Sequence, residues 1–195
     1  MCGELEPAEL VTGSPAFVVQ NEIDFGMMAM MAPDPNDLHS ETKRVYDEGN
    51  LGGSSLWSEV FSFEVLRRCE LAALLKTEGK ITYSDPTGKK TDLLVEIDGA
   101  TIGVSVTRAF HFPPTDPYTV AEARALLEDK LGDIQLSTAN VATVDQWQKQ
   151  ILHVLAYEPQ YVTSLAMAWQ MIDPSTKADS IVVVTLTSGD DEFIY

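Results

Sequence analysis

Apolar residues in the central part of the chain follow two different periods. From Ser55 to Lys76 they recur every three or four residues, which is the spacing of an amphipathic helix. Over residues 101–107 they alternate with polar residues, so Ser105 and Thr107 share one face of a predicted strand. The pattern therefore predicts a long helix followed by extended chain.

A three-stranded antiparallel meander is predicted for residues 80–107. Its strands are expected at 80–85, 92–97 and 101–107. The dipeptide Asp98-Gly99 lies between the last two strands and is a strong signal for a tight hairpin turn.

The second half of the chain is predicted to contain mainly helices and one buried strand. Helices are expected over 119–131, 144–157 and 161–172, whereas 133–143 fits either an extended segment or the start of a helix. The β-branched run at 180–186 is typical of a strand that is buried on both faces. We expect that strand to lie parallel to a central strand of the meander, since it is reached through helices.

The order of elements predicts an α/β fold: a helix, a three-stranded antiparallel meander, helices and then a buried strand. Residues 54–195 are expected to form a single α/β domain. Residues 1–53 are rich in Pro, Gly, Met and acids, and Pro33 and Pro35 interrupt their apolar run. We therefore expect residues 1–53 to be a mostly irregular acidic arm, with one short strand within 15–25.

Acidic residues outnumber basic ones throughout the chain. The 30 Asp and Glu and 13 Lys and Arg leave a formal net charge of −17. This balance is unfavourable for binding the phosphates of nucleic acid unless the few bases gather on one face. No apolar run has the length of a transmembrane helix, and the start of the chain does not have the pattern of a secretory signal. We expect a cytoplasmic or nuclear protein with no membrane partner.

Several common catalytic motifs are absent from the sequence. It contains no glycine-rich phosphate-binding loop and no G-x-S-x-G nucleophile turn. The three histidines do not have the spacing of metal ligands, and His153, within an apolar run, is expected to be a satisfied or partly buried side chain rather than a ligand. Candidate chemistry therefore depends on carboxylates.

The order of elements resembles that of the PD-(D/E)XK nucleases, whose core is also a helix, a meander, a helix and a further strand. In that group a helix Glu, an Asp that opens the second strand and an acid-x-Lys pair on the third strand hold magnesium or manganese and activate water. The resemblance implies Glu64 or Glu59 as the helix acid and Asp92 as the strand acid. Ser105 and Thr107 stand where the acid and the lysine would be.

Other residues near this motif supply further candidates. Hydroxyl groups are poor magnesium ligands beside carboxylates, so Glu78 and Glu96 are considered as additional metal ligands with Asp92 and Glu64. Glu96 alternates with Asp92 on the same face of the predicted strand. Arg108 is a candidate catalytic cation, although its side chain should point away from Thr107.

The same region resembles an uncharacterised family of lower eukaryotes that is marked by a G-V-S-V-T-R-A motif. Here the motif occupies residues 103–109. It lies between a T-E-x-x-I-x-Y segment at 77–83 and an L-L-x-x-K-L helix at 126–131. The likeness extends over residues 58–184.

Two functions are compatible with these residues. One is a divergent nuclease that uses magnesium or manganese, which requires Asp92, a helix acid and Thr107 or Arg108 to converge. The other is a non-catalytic module on the same fold that binds a protein partner or an end of nucleic acid, as the missing acid-x-Lys pair and the net charge of −17 favour.

Overall fold

A six-stranded sheet forms the centre of the structure. The structure is a computed structural model, and it describes residues 5–27, 31–51, 55–113 and 116–195. The strands in chain order are β1 (Phe17–Asp24), β2 (Ala73–Thr77), β3 (Leu93–Ile97), β4 (Ala100–Ala109), β5 (Lys149–Ala156) and β6 (Ile181–Ser188).

The sheet has an antiparallel half and a parallel half. Its strand order is β1-β6-β5-β4-β3-β2, and β2, β3 and β4 form the antiparallel meander. Strands β4, β5, β6 and β1 are mutually parallel. The carboxyl ends of these four strands therefore meet at one edge of the sheet.

The predicted turn between β3 and β4 is present. Asp98 and Gly99 have φ values of 49° and 77°. Two successive positive φ values are the requirement of a tight two-residue hairpin turn whose twist matches that of the strands. The hairpin prediction is confirmed.

Helices cover both faces of the sheet. They are α1 (Ser40–Glu48), α2 (Leu56–Glu70), α3 (Val120–Asn140), α4 (Pro159–Met171) and α5 (Pro174–Lys177). The α2 face is filled by a cluster that includes Val60, Phe63 and Val104. A second cluster, which includes Leu131 and Leu165, fills the face under α3 and α4. The molecule is thus a three-layer α/β/α arrangement.

The predicted fold class is confirmed. The chain runs through helix α2, the meander β2–β3–β4, helix α3 and strand β5, and β5 lies parallel to β4. The predicted buried strand at 180–186 is β6, but it is parallel to β5 and one position further from the meander.

The strand beside the meander was wrongly predicted as a helix. Residues 144–157 contain β5 (Lys149–Ala156), and all of its residues are buried. A short apolar run that is buried on both faces has no distinguishing period, so the helical spacing of its apolar residues was misleading. Pairing with β4 on one side and β6 on the other decides that this segment is extended.

The boundaries around the first meander strand also differ from the prediction. Helix α2 ends at Glu70, where Leu71 adopts a left-handed conformation with φ 54°, and the strand is Ala73–Thr77. The predicted strand at 80–85 makes only an isolated bridge between Tyr83 and Val141. Helix α3 extends to Asn140 and so includes most of the ambiguous residues 133–143.

The N-terminal region is more ordered than predicted. Strand β1 pairs along its whole length with β6, and α1 lies beside α2. Leu10 is buried in the same core cluster as α2. The prediction of a mostly irregular arm over 1–53 therefore needs correction, because tertiary pairing recruits a segment with weak local signals. The predicted boundary at 53–54 lies outside the described residues.

None of the helices in the described ranges combines the length and apolar character that a membrane span requires.

Candidate functional site

Asp92 lies immediately before β3 and is held against β4. Its backbone N–H donates to the carbonyl of Val104 (3.1 Å), and its Oδ2 accepts from the backbone N–H of Val106 (2.6 Å). Burial raises the pKa of Asp92 to about 8, and the negative charge of Glu59 adds to the rise. Asp92 is therefore largely protonated at neutral pH.

Glu59 is the helix acid that interacts with Asp92. It lies in α2 and is only 4% exposed. Its Oε1 accepts hydrogen bonds from Asn50 Nδ2 (3.0 Å) and Ser55 Oγ (2.9 Å). Burial raises the pKa of Glu59 more than these two bonds lower it. Asp92 and Glu59 are thus two carboxyl groups whose pKa values are both raised by burial.

Glu78 is a third acid of this region and follows β2 directly. Its Oε2 accepts from the backbone N–H of Leu51 (2.9 Å). The charge of Glu78 raises the pKa of both Asp92 and Glu59. Carboxyl groups from three different parts of the chain therefore interact electrostatically.

Two cations act on these acids from opposite sides of the sheet. The charge of Lys130, in α3, lowers the pKa of Asp92, and the charge of Arg108, in β4, lowers the pKa of Glu59. The guanidinium of Arg108 donates from Nη1 to the carbonyls of Ile194 and Tyr195, both at 3.0 Å. Arg108 is thus held by backbone oxygens.

Ser105 and Thr107 lie on the face of β4 opposite Arg108, as the alternation predicts. Ser105 Oγ lies 3.0 Å from Thr91 Oγ1. The side chain of Thr107 is partly buried. Neither residue brings a charge to the site, so β4 supplies hydroxyl groups where the nuclease pattern has an acid and a lysine.

Glu64 does not join Asp92. Burial would raise its pKa, but hydrogen bonds from Arg67, Thr42 and Arg68 outweigh burial and lower the pKa of Glu64 to about 2. Its carboxylate lies 2.8 Å from Arg67 Nη2 and 2.5 Å from Arg68 Nε. Five residues separate Glu64 from Glu59, which turns the two side chains to different faces of the helix. Glu64 ties α2 to α1 through Thr42.

Glu96 is also placed apart from Asp92. It is exposed and lies opposite Ala73 and Thr101 in the meander. Four residues of extended chain correspond to about 13 Å, which is too far for two side chains to share one small ion. The shared face of the strand therefore does not bring these two acids together.

A magnesium or manganese ion does not fit the residues of this site well. Within the described ranges, no three His, Cys, Asp or Glu side chains lie close enough to hold a metal ion. The hydroxyl of Ser105 is engaged with Thr91, and Glu59 is engaged with Asn50 and Ser55. The set of carboxylates that the nuclease resemblance implies is therefore not assembled.

A series of buried hydrogen bonds crosses the core. Only its histidine was predicted from the sequence. Ser62 Oγ lies 2.8 Å from His153 Nδ1, and His153 Nε2 lies 2.6 Å from Thr185 Oγ1. Thr185 donates to Asn21 Oδ1, so it accepts from Nε2–H, and Nδ1 accepts from Ser62. Burial lowers the pKa of His153 to about 3. His153 is thus a satisfied side chain, as predicted, and it is fully buried. Its partners come from strands and a helix that no local signal links.

No protein-family model matches the chain. The chain is 35% identical over 173 residues to the AAC-rich mRNA clone AAC4 protein of Dictyostelium discoideum, and the match covers 85% of this chain and 25% of that protein. The chain thus spans about a quarter of the length of this relative. Among solved structures, it is similar to SfsA of Pyrococcus furiosus in complex with Ca2+, with 11% identity, a TM-score of 0.29, and coverage of 75% of this chain and 58% of that one.

Proposed function

We propose that this chain is a degenerate nuclease-like domain that binds a partner and does not cleave phosphodiesters. The observation that carries the proposal is the composition of β4 beside Asp92. At the two positions where the nuclease pattern needs an acid and a lysine, the strand presents Ser105 and Thr107.

The protonation of the site supports a non-catalytic role. Activation of water requires a general base in its unprotonated form or a bound metal ion. Asp92, with a pKa of about 8, is mostly neutral at pH 7, and its Oδ2 already accepts from Val106. Arg108 is held by carbonyl oxygens rather than facing open space. The groups that would perform hydrolysis are therefore occupied with holding the fold.

The charge of the chain favours a protein as the partner. A surface with a net charge of −17 repels the phosphates of nucleic acid and attracts basic protein surfaces. We therefore propose protein interaction as the main role and treat binding to the end of a nucleic acid as an outcome of the test.

A nuclease dependent on magnesium or manganese is the second candidate. It is favoured by one specific observation, which is that the charge of Glu59 raises the pKa of Asp92, so the two carboxyl groups interact electrostatically. A cation bound near these groups would lower both of their pKa values. Asp92, Glu59 and Glu78 are then the residues to test, and Glu64 and Glu96 are not.

Cleavage assays distinguish the two candidates. The purified chain is incubated with magnesium or manganese and end-labelled single-stranded DNA, double-stranded DNA and RNA. Asp92→Ala, Glu59→Gln and the exposed control Glu96→Gln are assayed in parallel. We expect no cleavage above background for any of the four proteins. Metal-dependent cleavage that Asp92→Ala and Glu59→Gln abolish, and Glu96→Gln does not, would refute the non-catalytic proposal and support the nuclease.

A further inference from the structure

Three aromatic rings meet at the carboxyl ends of the parallel strands. Phe110 follows β4, Tyr157 follows β5, and Tyr195 lies in the turn after β6. The ring centroids of Phe110 lie 5.5 Å from those of Tyr157 and 5.2 Å from those of Tyr195. The carboxyl ends of parallel strands are the usual position of ligand sites in open α/β sheets.

These rings line an open groove. The groove has a volume of about 160 Å³ and is bounded by Phe110, Phe112, Tyr157, Tyr195 and Glu192. The side chain of Phe112 is 82% exposed. A large aromatic side chain with so little burial contributes nothing to the core of this domain, so the structure leaves its face available to a partner.

Carboxylates surround one side of the groove. A neighbouring depression of about 310 Å³ shares Tyr157 and Glu192 with the groove, and its lining includes Glu22, Glu158 and Asp191. In addition to burial, the charges of Asp191, Glu192 and Glu158 raise the pKa of Tyr157. None of these four acids forms an ion pair with the described basic residues. The guanidinium of Arg108 donates to the carbonyl of Tyr195, but the aromatic surface still lies beside several acids that have no ion-pair partner among the described basic residues.

We propose that this acid-rimmed aromatic groove docks an arginine or lysine side chain from a basic segment of a partner protein. The inference deepens the proposed protein-binding function and rests on it. A cation over an aromatic face is attracted by the ring, and a guanidinium also stacks on it. The same cation pairs with Glu192 or its neighbours at the rim.

Other occupants fit the groove less well. A purely apolar peptide would cover Phe112 and Tyr157 but would leave the nearby carboxylates without a partner as they lose water. A nucleic acid would stack its bases on the rings but would place phosphates beside Glu192 and the neighbouring Glu158 and Glu22. A basic side chain satisfies both the rings and the carboxylates.

The test is a titration of the 15N-labelled chain with the peptide acetyl-(Arg-Gly)4-amide, followed by NMR. The expected result is a saturable shift of amide signals at residues 110–112, 157–158 and 190–195. Phe112→Leu keeps the apolar area but removes the ring, and it is expected to weaken binding about 2- to 5-fold. Glu192→Lys is expected to weaken binding about fivefold or more, since it places a like charge at the rim.

A charge-matched variant separates docking from general attraction. Glu96→Lys changes the net charge as Glu192→Lys does, but it lies on β3 near the other edge of the sheet. It is expected to change the affinity less than about twofold, because the distance exceeds the screening length in 0.15 M salt. Equal weakening by the two variants, or an absence of shifts at the groove with millimolar peptide, would overturn the proposal.

Two more titrations make the outcomes separable. A (Glu-Gly)4 peptide and the oligonucleotide dT12 are expected to leave the groove signals unmoved, and shifts there with dT12 would assign the groove to nucleic acid instead. If the arginine peptide does not bind, the docking proposal is refuted, whereas the proposal of a non-catalytic domain is unaffected. If cleavage depends on Asp92, the non-catalytic proposal is refuted, whereas the peptide titration still tests the groove.

Discussion

The raised pKa of Asp92 predicts a distinctive dependence of stability on pH. In the unfolded chain the carboxyl group titrates at its ordinary value near 3.8, whereas in the folded chain it titrates at about 8. Between these values the folded state binds a proton that the unfolded state has released. This group therefore makes the protein less stable as pH rises from about 4 to 8.

The size of the effect follows from the shift. Each pKa unit corresponds to about 1.4 kcal/mol, so the full shift sets an upper limit of about 6 kcal/mol. Asp92 keeps some contact with solvent, which reduces the cost of its charge. We expect about 2–3 kcal/mol of the free energy of unfolding to be lost between pH 5 and pH 9 because of this residue.

Asp92→Asn is the matching perturbation. The amide oxygen of asparagine can still accept from the backbone N–H of Val106, but the side chain carries no charge at any pH. The variant is expected to match the natural chain near pH 5 and to be about 2 kcal/mol more stable at pH 9. Urea unfolding followed by tryptophan fluorescence at several pH values measures this difference.

Comparing the two proteins at each pH removes contributions from other titrating groups, such as His153. Glu96→Gln, which neutralises an exposed acid on β3, is the control and should leave the pH profile unchanged. Parallel profiles for Asp92→Asn and the natural chain from pH 5 to 9 would refute the reasoning, because they would show that the carboxyl group titrates normally in the folded state.

Three further substitutions test the described packing and charges. Because the pKa of His153 is lowered, its contribution to the free energy of unfolding is complete above pH 6.5 and is lost as pH falls towards 3. In urea unfolding, His153→Gln is therefore expected to reduce the loss of stability at acid pH and to cost about 2–3 kcal/mol at pH 7. Glu64→Gln should lower the free energy of unfolding by about 2–3 kcal/mol at pH 7, since it leaves two arginines without their carboxylate, and a loss below 0.5 kcal/mol would contradict the pairing. Gly103→Ala should cost about 1–3 kcal/mol and shift the emission of Trp147, because a Cβ at this position would lie 2.7 Å from the indole ring; an unchanged spectrum and midpoint would contradict that contact.

Local patterns in the chain were sufficient for several elements of the fold. The alternation in β4 and the Asp98-Gly99 turn depend only on near neighbours, so they could be predicted. The continuous β-branched run of β6 was similarly clear. Strand β5 could not be distinguished from a helix, since an apolar run with no exposed face carries no period. Strand β1 gave only a weak signal and is placed by its pairing with β6.

The candidate site was likewise predictable only in part. The position of Asp92 at the start of β3, and the hydroxyl groups of Ser105 and Thr107 on β4, were accessible from the order of residues. The choice of Glu59 over Glu64 was not, because both lie on one helix and only the packing of α2 decides which of them interacts electrostatically with Asp92.

The sequence alone determines the alternation of β4, the net charge of −17 and the absence of an acid-x-Lys pair from β4, because these are properties of neighbouring residues or of composition. The tertiary structure alone decides that Arg108 is held by carbonyls more than 80 residues away, with separations of 86 and 87 residues. It likewise brings Phe110, Tyr157 and Tyr195 into one groove. Contacts across such separations depend on the order of strands in the sheet, which no local period encodes.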